Sequence, residues 1–393
     1  MAINPDQTNL TINVGNQSLT GIWNSFSVTR SAMQVPSTLQ VEYSEISRTG
    51  NPTFLKNQTI TAFLGTNQIF AGRIDAVSPR ISPGNHSVVM TARSFVREIV
   101  DCSADMSALS NGQLINDDVF TAAKKLCAPV GVNVVVTSQQ QAQRVPSLII
   151  NYGESAWSMI ERIARYNGVI LLDTVKGELE ITDVGLNTHK SSIIEGINAM
   201  NYSGNFDGSQ QYSDVFVVWS TVDTMTGRTG ADATSFRHGR AFDAELKKTG
   251  LYRPLFLLSE QTVGGLDIAQ ARADWEISTR FGRANQVQVS VDSFSDNYGN
   301  LWSPNWLVNI DLPAAYVVNQ NWAIVSVTYN KSLQSGTSCD ITCMPKAGLM
   351  PEPISLNNMS VRLEGSEPSG TPSQTNPNPP IAPQQATPVS GGL

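Results

Sequence analysis

The spacing of apolar residues changes twice along this chain, and each change restricts the fold. From Leu10 to Met90 the apolar side chains fall mostly at every second position: Leu10, Ile12 and Val14, then Leu39, Val41 and Tyr43, then Ile60 and Ala62 leading to Phe63 and Leu64, then Val88 and Met90. That is the period of strands with one buried face. Turn-forming runs interrupt it at Gly15-Asn16, Gly50-Asn51-Pro52, Gly65-Thr66-Asn67 and Ser82-Pro83-Gly84-Asn85. Residues 1–100 are therefore expected to form an antiparallel barrel or sandwich.

Over 101–195 the period becomes helical. Leu114, Ile115, Val119, Phe120, Ala123 and Leu126 predict one helix that stops before Pro129, and Trp157, Ile160, Ile163 and Ala164 a second that stops before Gly168. Short strand-like runs follow each, Val132 to Val136 and Val169 to Leu172, and a Lys176-Gly177 turn leads into Leu179 and Ile181. This segment is expected to be a small α+β domain. From 196 to 350 the strand pattern returns, in Val215 to Trp219, Leu255 to Leu258, Val287 to Val291, Leu307 to Ile310 and Ala323 to Tyr329. A second β domain is expected there. One long helix lies within it, marked by Leu266, Ala269, Ala273 and Ile277 and ended by Gly282. Thr221 to Lys248, with few apolar residues, reads as a long exposed loop. The last segment, 351–393, is expected to be a flexible tail: after Gly365 it carries seven prolines, no aromatic residue and one charge, too little apolar surface to offset the entropy of ordering.

The chemistry-bearing residues form no recognisable constellation. No Gly-x-x-x-x-Gly-Lys, Gly-x-Gly-x-x-Gly, His-Glu-x-x-His or Gly-x-Ser-x-Gly run occurs. The three histidines, His86, His189 and His238, each lie in a polar stretch that reads as surface turn or loop. Asp292 to Gly299 has the look of a calcium loop, but its glycine falls eighth rather than sixth and Phe294 takes a ligand position, so a hairpin turn is expected. Glu154 and Glu161 flank Trp157 as a possible acid and base; the simpler roles are a carboxylate at the helix N-terminus and one on its wet face. Trp302 and Trp306 could stack sugars, or anchor a core or interface. No catalytic, cofactor or metal residue is assigned, and interface residues are left unassigned.

Charge and cysteine content narrow the class further. With 26 basic and 33 acidic residues the chain has a formal charge of −7 and no basic surplus for holding nucleic acid. Cys102, Cys127, Cys339 and Cys343 are too few and too scattered for a disulfide framework. The N-terminal run has no basic segment followed by an apolar one, and no stretch reaches the roughly 18 apolar residues of a membrane span, so a soluble, unprocessed chain without stable membrane insertion is expected.

Taken in order, several short runs resemble the baseplate hub proteins of Mu-like contractile-tailed phages, the tail protein P family. They begin with Gly21-Ile22-Trp23, Phe26-Ser27-Val28 and Arg30-Ser31, and continue with Phe70-Ala71-Gly72-Arg73-Ile74-Asp75-Ala76-Val77-Ser78-Pro79, Ala92-Arg93-Ser94 and Ile99-Val100-Asp101-Cys102-Ser103-Ala104. In the middle stand Tyr152-Gly153-Glu154-Ser155-Ala156-Trp157, Ile160-Glu161-Arg162-Ile163-Ala164 and Gly177-Glu178-Leu179-Glu180-Ile181-Thr182. Arg253-Pro254-Leu255, Arg272-Ala273-Asp274-Trp275-Glu276 and Gly299-Asn300-Leu301-Trp302-Ser303-Pro304-Asn305 complete the series. The order, over more than 300 residues, carries the resemblance; Ala92 and Trp219 depart from it.

The resemblance implies an α+β, mainly β chain with two β-barrel-like tube domains, a small α+β domain between them and a disordered Pro-rich C-terminal tail. It implies a homotrimer whose six tube domains join the sixfold tail tube to the threefold central spike. Tail tube protein, central spike protein and baseplate wedge proteins would be its partners, with DNA passing through the lumen during ejection and no specific nucleic-acid binding. The location would be the virion baseplate, assembled in the host cytoplasm. No enzyme activity and no cofactor are implied. The alternative readings are a tail-associated cell-wall hydrolase and a carbohydrate-binding protein.

Overall fold

The computed structural model describes residues 9–15, 17–44, 53–83, 85–109, 112–219, 237–258 and 265–353. The Pro-rich tail, the Gly50-Asn51-Pro52 turn and most of the expected loop after Thr221 lie outside these residues.

The first β region consists of β1 (Leu10–Val14), β2 (Gln17–Thr20), β3 (Trp23–Ser31), β4 (Thr38–Ser44), β5 (Thr59–Leu64), β6 (Asn67–Ser82) and β7 (Asn85–Ser94). They pair antiparallel in the order β3-β4-β7-β6-β5-β1-β2. The two-residue alternation puts Leu10, Ile12, Leu39, Val41, Tyr43, Ile60, Ala62, Val88 and Met90 on one buried face. Gly72, inside β6, sits where an added Cβ would lie 2.0 Å from the Arg93 carbonyl oxygen, so only glycine permits this close approach of β6 and β7.

The α+β segment follows as α1 (Arg97–Asp101), β8 (Gln113–Asp118), α2 (Val119–Cys127), β9 (Val134–Val136), β10 (Arg144–Ile149), α3 (Ala156–Tyr166), β11 (Ile170–Asp173) and β12 (Leu179–Thr182). It has its own core, in which Val119, Ala123 and Leu126 of α2 meet Met159, Ile160 and Ile163 of α3. The expected first helix is too long at its N-terminal end. Leu114 and Ile115 belong to β8, which pairs with β10, and the helix begins only where the Asp118 side chain accepts the Thr121 N–H at 2.7 Å. The second helix starts as expected, with Ser155 capping Ser158 N–H.

Beyond it run β13 (Ile193–Ile194), β14 (Ala199–Phe206), β15 (Asp214–Trp219), β16 (Arg237–Phe242), α4 (Ala244–Lys248), β17 (Pro254–Leu258), α5 (Gly265–Ala284), β18 (Asn285–Val291), β19 (Leu307–Leu312), β20 (Val317–Ser332) and β21 (Gly336–Met344). The described part of the expected Thr221–Lys248 loop is a correction: β16 pairs antiparallel with β15, and Asp243 caps α4. Few apolar residues mark β16 because α5 packs directly on its backbone at Gly239, where a Cβ would lie 2.2 Å from Ala269. Helix α5 also runs past Gly282. That glycine lets the helix approach Gly348 and does not end it.

The two β regions share one sheet. Strand β20 pairs antiparallel with β3 from Ser326↔Ser31 to Ser332↔Ser25, giving a 13-stranded sheet over a single core that runs from Leu10 to Cys343. The two regions also repeat one unit. Strands β3, β4, β5, β6 and β7 pair with each other as β14, β18, β19, β20 and β21 do, in the same chain order, with β15 to α5 inserted after the first strand of the second copy. The irregularities coincide as well. Bulges at Trp23/Ser25 and Ile74/Ala76 recur at Ala199/Asn201 and Ile324/Ser326, and β6 and β20 are both 16 residues long.

Candidate functional site

The residues that the sequence offers for chemistry are engaged in structure. Glu154 accepts from Arg162 at 2.5 Å and from the Asn151 N–H at 3.2 Å, while Glu161 is exposed on the same helix. Trp302 is buried, with its Nε1 donating to the Ser293 carbonyl, so no paired tryptophan platform faces solvent. Asp296 takes the Tyr298 and Asn300 N–H groups, each at 2.9 Å, which closes the expected hairpin turn at Gly299. Among the described residues no group of three or more His, Cys, Asp or Glu could hold a metal ion. Cys127, Cys339 and Cys343 are buried, and burial pushes the Cys127 thiol up to about 12.

His189 corrects the surface reading. Its side chain is fully enclosed between the rings of Trp302 and Trp306, at centroid distances of 4.7 and 4.6 Å, and Nδ1 lies 3.1 Å from Asp296 Oδ2. Burial pushes its pKa down, against the opposing pull of Asp296. The cause is a backbone crossing: Thr188 bridges to Leu307 in parallel and the His189 N–H donates to the Leu307 carbonyl. The flanking residues Asn187, Thr188 and Lys190 give no apolar pattern to signal it.

His189 is one part of a polar joint that locks the α+β segment onto the sheet. Buried Asp173, at the end of β11, accepts the Ser37 N–H at 2.7 Å and the hydroxyls of Ser37 and Ser94. On the other side, the Asn305 amide donates to the Asp183 carbonyl and accepts the Gly185 N–H at 2.8 Å. Tyr329, fully buried, donates its hydroxyl to the Trp302 carbonyl. A second buried carboxylate, Asp214, gathers Arg240 and Lys247, each at 2.9 Å, and Ser213 at 3.0 Å. Burial opposes its ionisation, but these donors outweigh it and hold the carboxyl at about 2. No sequence spacing announces either cluster, because the partners come from distant segments.

What remains at the surface suits assembly. Among the described residues, the outer edge of β14 beyond the Ala199–Glu195 bridge has no strand partner, and the Ala76–Ser82 half of β6 pairs with β7 alone, since β5 covers no more than its first half. Ile81 is 78% and Phe206 43% exposed along these two edges. On the three-stranded sheet β16-β15-β17, Phe216 and Phe256 stack at 4.9 Å, with Phe256 and Leu258 exposed. Among the described residues no helix is long and apolar enough to cross a membrane.

Comparison with known proteins falls along the same segments. Residues 97–183 match the family described as baseplate hub protein gp44-like, second domain, and residues 266–352 match the fourth domain of the Mu phage baseplate assembly protein GpP. The chain is 24% identical over 345 residues to the baseplate hub protein gp44 of Escherichia phage Mu, a stretch covering 87% of this chain and 89% of that protein. In fold it is similar to the 43 kDa tail protein of prophage MuSo2 from Shewanella oneidensis, with a TM-score of 0.75 at 22% identity over 86% of this chain and 99% of that one. A tail protein from Neisseria meningitidis MC58 gives a TM-score of 0.70 at 16% identity, covering 88% and 98%. The E. coli c3393 protein, a type VI secretion component with structural similarity to T4 gp27 and gp5, gives 0.53 at 10% identity over 88% and 79%. The resemblance to Mu-type baseplate hub proteins therefore holds in sequence and in fold.

Proposed function

We propose that this chain is the structural baseplate hub of a contractile phage tail, acting as a homotrimer. The observation that carries this reading is the duplicated five-strand unit within one continuous sheet. Three chains with two equivalent units each supply six similar subunits in a threefold assembly, which is what a joint between a sixfold tube and a threefold spike requires. The division into a first tube domain at 1–100, an α+β domain at 101–195, a second tube domain at 196–350 and a tail at 351–393 follows from the same reading. So do its partners: tail tube, central spike and baseplate wedge proteins. The role is architectural and not catalytic, in keeping with the engagement of Glu154 by Arg162. DNA would pass through the ring without specific binding. Three chains at −7 each carry a formal −21, and carboxylates along such a lumen would limit phosphate sticking.

Light scattering on the purified protein tests the trimer, with an expected mass of three times the 42.5 kDa chain. Negative-stain images of the same sample should show a threefold ring with a central hole. A chain that stays monomeric after tube and spike proteins are added would overturn the reading.

A further inference from the structure

The three-stranded sheet inserted between β14 and β18 is covered on one side only. Helix α5 lays Ala269, Ala273 and Ile277 against Val215 and Val217 of β15 and Ala241 of β16. Among the described residues no second layer covers the other side. Yet β15 and β17, which run parallel from Asp214↔Pro254 to Val218↔Leu258, are apolar at consecutive positions, Val215-Phe216-Val217-Val218 and Leu255-Phe256-Leu257-Leu258. Parallel strands of that composition belong to sheets buried on both faces, whereas strands with one wet face alternate. The sequence therefore supplies a second apolar face and leaves it in water: Phe242 is 57%, Phe256 63% and Leu258 70% exposed.

The same face carries an unbalanced charge. Among the described residues Arg240 and Lys247 share one carboxylate, that of buried Asp214, and their own side chains stay 52% and 36% exposed. The Arg240 guanidinium lies over the Phe216 ring at 5.1 Å, and the Lys247 ammonium over the Phe242 ring at 4.4 Å. Both cations are thus fixed at the border of the apolar patch. Together they hold one positive charge more than Asp214 cancels, on a chain whose formal charge is −7.

We infer that this face is the docking site for an amphipathic helix of a partner protein, whose apolar stripe covers Phe242, Phe256 and Leu258 and whose bordering Asp or Glu pairs with Arg240 and Lys247. The dimensions select a helix. Strands about 4.8 Å apart place the outer two about 10 Å from each other, the width of one helix, and the length of β17, about 17 Å, matches about three helical turns. Helices are also the usual cover for parallel strand pairs, and α5 already supplies one. A strand added at the β17 edge would engage backbone groups and leave the Phe256 and Leu258 side chains in water. A carboxylate on the incoming helix gives the second cation its counterpart, while a basic helix would meet like charge. This docking uses none of the 13-stranded sheet and holds whether or not the chain forms the proposed trimer.

The probes are fluorescein-labelled synthetic helices of about four turns with leucine at i, i+3, i+4 and i+7. One borders the leucine stripe with glutamate and the other with lysine. Fluorescence anisotropy with the full-length chain should show the glutamate peptide binding about tenfold tighter than the lysine peptide. Phe256→Ser with Leu258→Ser, at two exposed positions, should weaken that binding about tenfold while the far-UV circular dichroism spectrum stays unchanged. Arg240→Gln, which leaves Lys247 on Asp214, should reduce the preference for glutamate. A glutamate peptide broken by a central proline should bind about tenfold more weakly than the intact one.

Equal binding of the glutamate and lysine peptides, undiminished binding by the double serine variant, or full binding of the proline peptide overturns the site. A different occupant overturns it as well. An oligomer that Phe256→Ser with Leu258→Ser dissociates in light scattering assigns the face to a second copy of this chain. Sedimentation with vesicles of phosphatidylcholine and phosphatidylglycerol in equal parts, abolished by the same variant, assigns it to a lipid surface.

Discussion

At the scale of single residues, burial of polar groups carries the most consequence, because each buried group must find its partner or destabilise the fold. His189 has its pKa lowered in the folded protein below its ordinary 6.5, so the unfolded chain binds the proton more readily. Its contribution is full above about pH 6.5 and is lost as pH falls through the folded value. The denaturation midpoint should drop between about pH 7.5 and about pH 5.5, and His189→Gln should flatten that step. Asp214 has its pKa lowered too, to about 2, so its contribution is present above 3.8 and is lost as pH falls through about 2. With Arg240 52% and Lys247 36% exposed, solvent screens the cluster, and Asp214→Asn should cost about 1 kcal/mol at neutral pH, measured by urea denaturation. The deficit should narrow at about pH 3. Neither site was legible beforehand. Sequence showed His189 among polar neighbours, and Lys247 and Arg240 inside an apparent loop, since a partner 26 or 107 residues away leaves no mark on local composition.

At the scale of elements, strands with one buried face announced themselves, and elements shaped by close backbone approach did not. Strands β4, β5 and β18 lie where alternation predicted them, and α3 runs from its Ser155 cap over the expected Trp157–Ala164 stretch. Strand β16 leaves no alternation in the sequence because its contact with α5 is made by glycine, which adds nothing to an apolar pattern. The same ambiguity applies to α5: a glycine at the end of a helical pattern is usually a cap, whereas Gly282 clears the backbone of Gly348, whose nitrogen would lie 2.3 Å from a Cβ at that position. This fixes the sign of a substitution. In an open helix Gly→Ala gains about 1 kcal/mol, but Gly282→Ala should cost about 1–3 kcal/mol by overpacking, read from the chemical denaturation midpoint. Ser155→Ala should cost about 1 kcal/mol through the lost cap on α3 in the same assay.

At the scale of the whole molecule, the β3–β20 ladder is the decisive contact. It joins segments about 300 residues apart, with Thr29 bonded to Thr328 across it, and merges two repeated units over one core. Calorimetry should therefore show both units melting in a single transition, and Tyr329→Ala, which empties a fully buried site facing Val28 and Phe294, should lower it as a whole by about 3–5 kcal/mol. Two resolved transitions would mean that the ladder is too weak to couple the units. Periodicity and turn chemistry alone determined that the chain is mostly β, that a helical segment interrupts it and where most strands lie, because these depend on which neighbouring side chains share a face. Only the tertiary structure decided that the two β regions form one sheet, that they repeat each other down to their bulges, and which strand edges are left without a partner among the described residues. Those facts depend on pairing between segments far apart in the chain, and a hydrogen-bonded backbone edge is the same whatever residue carries it.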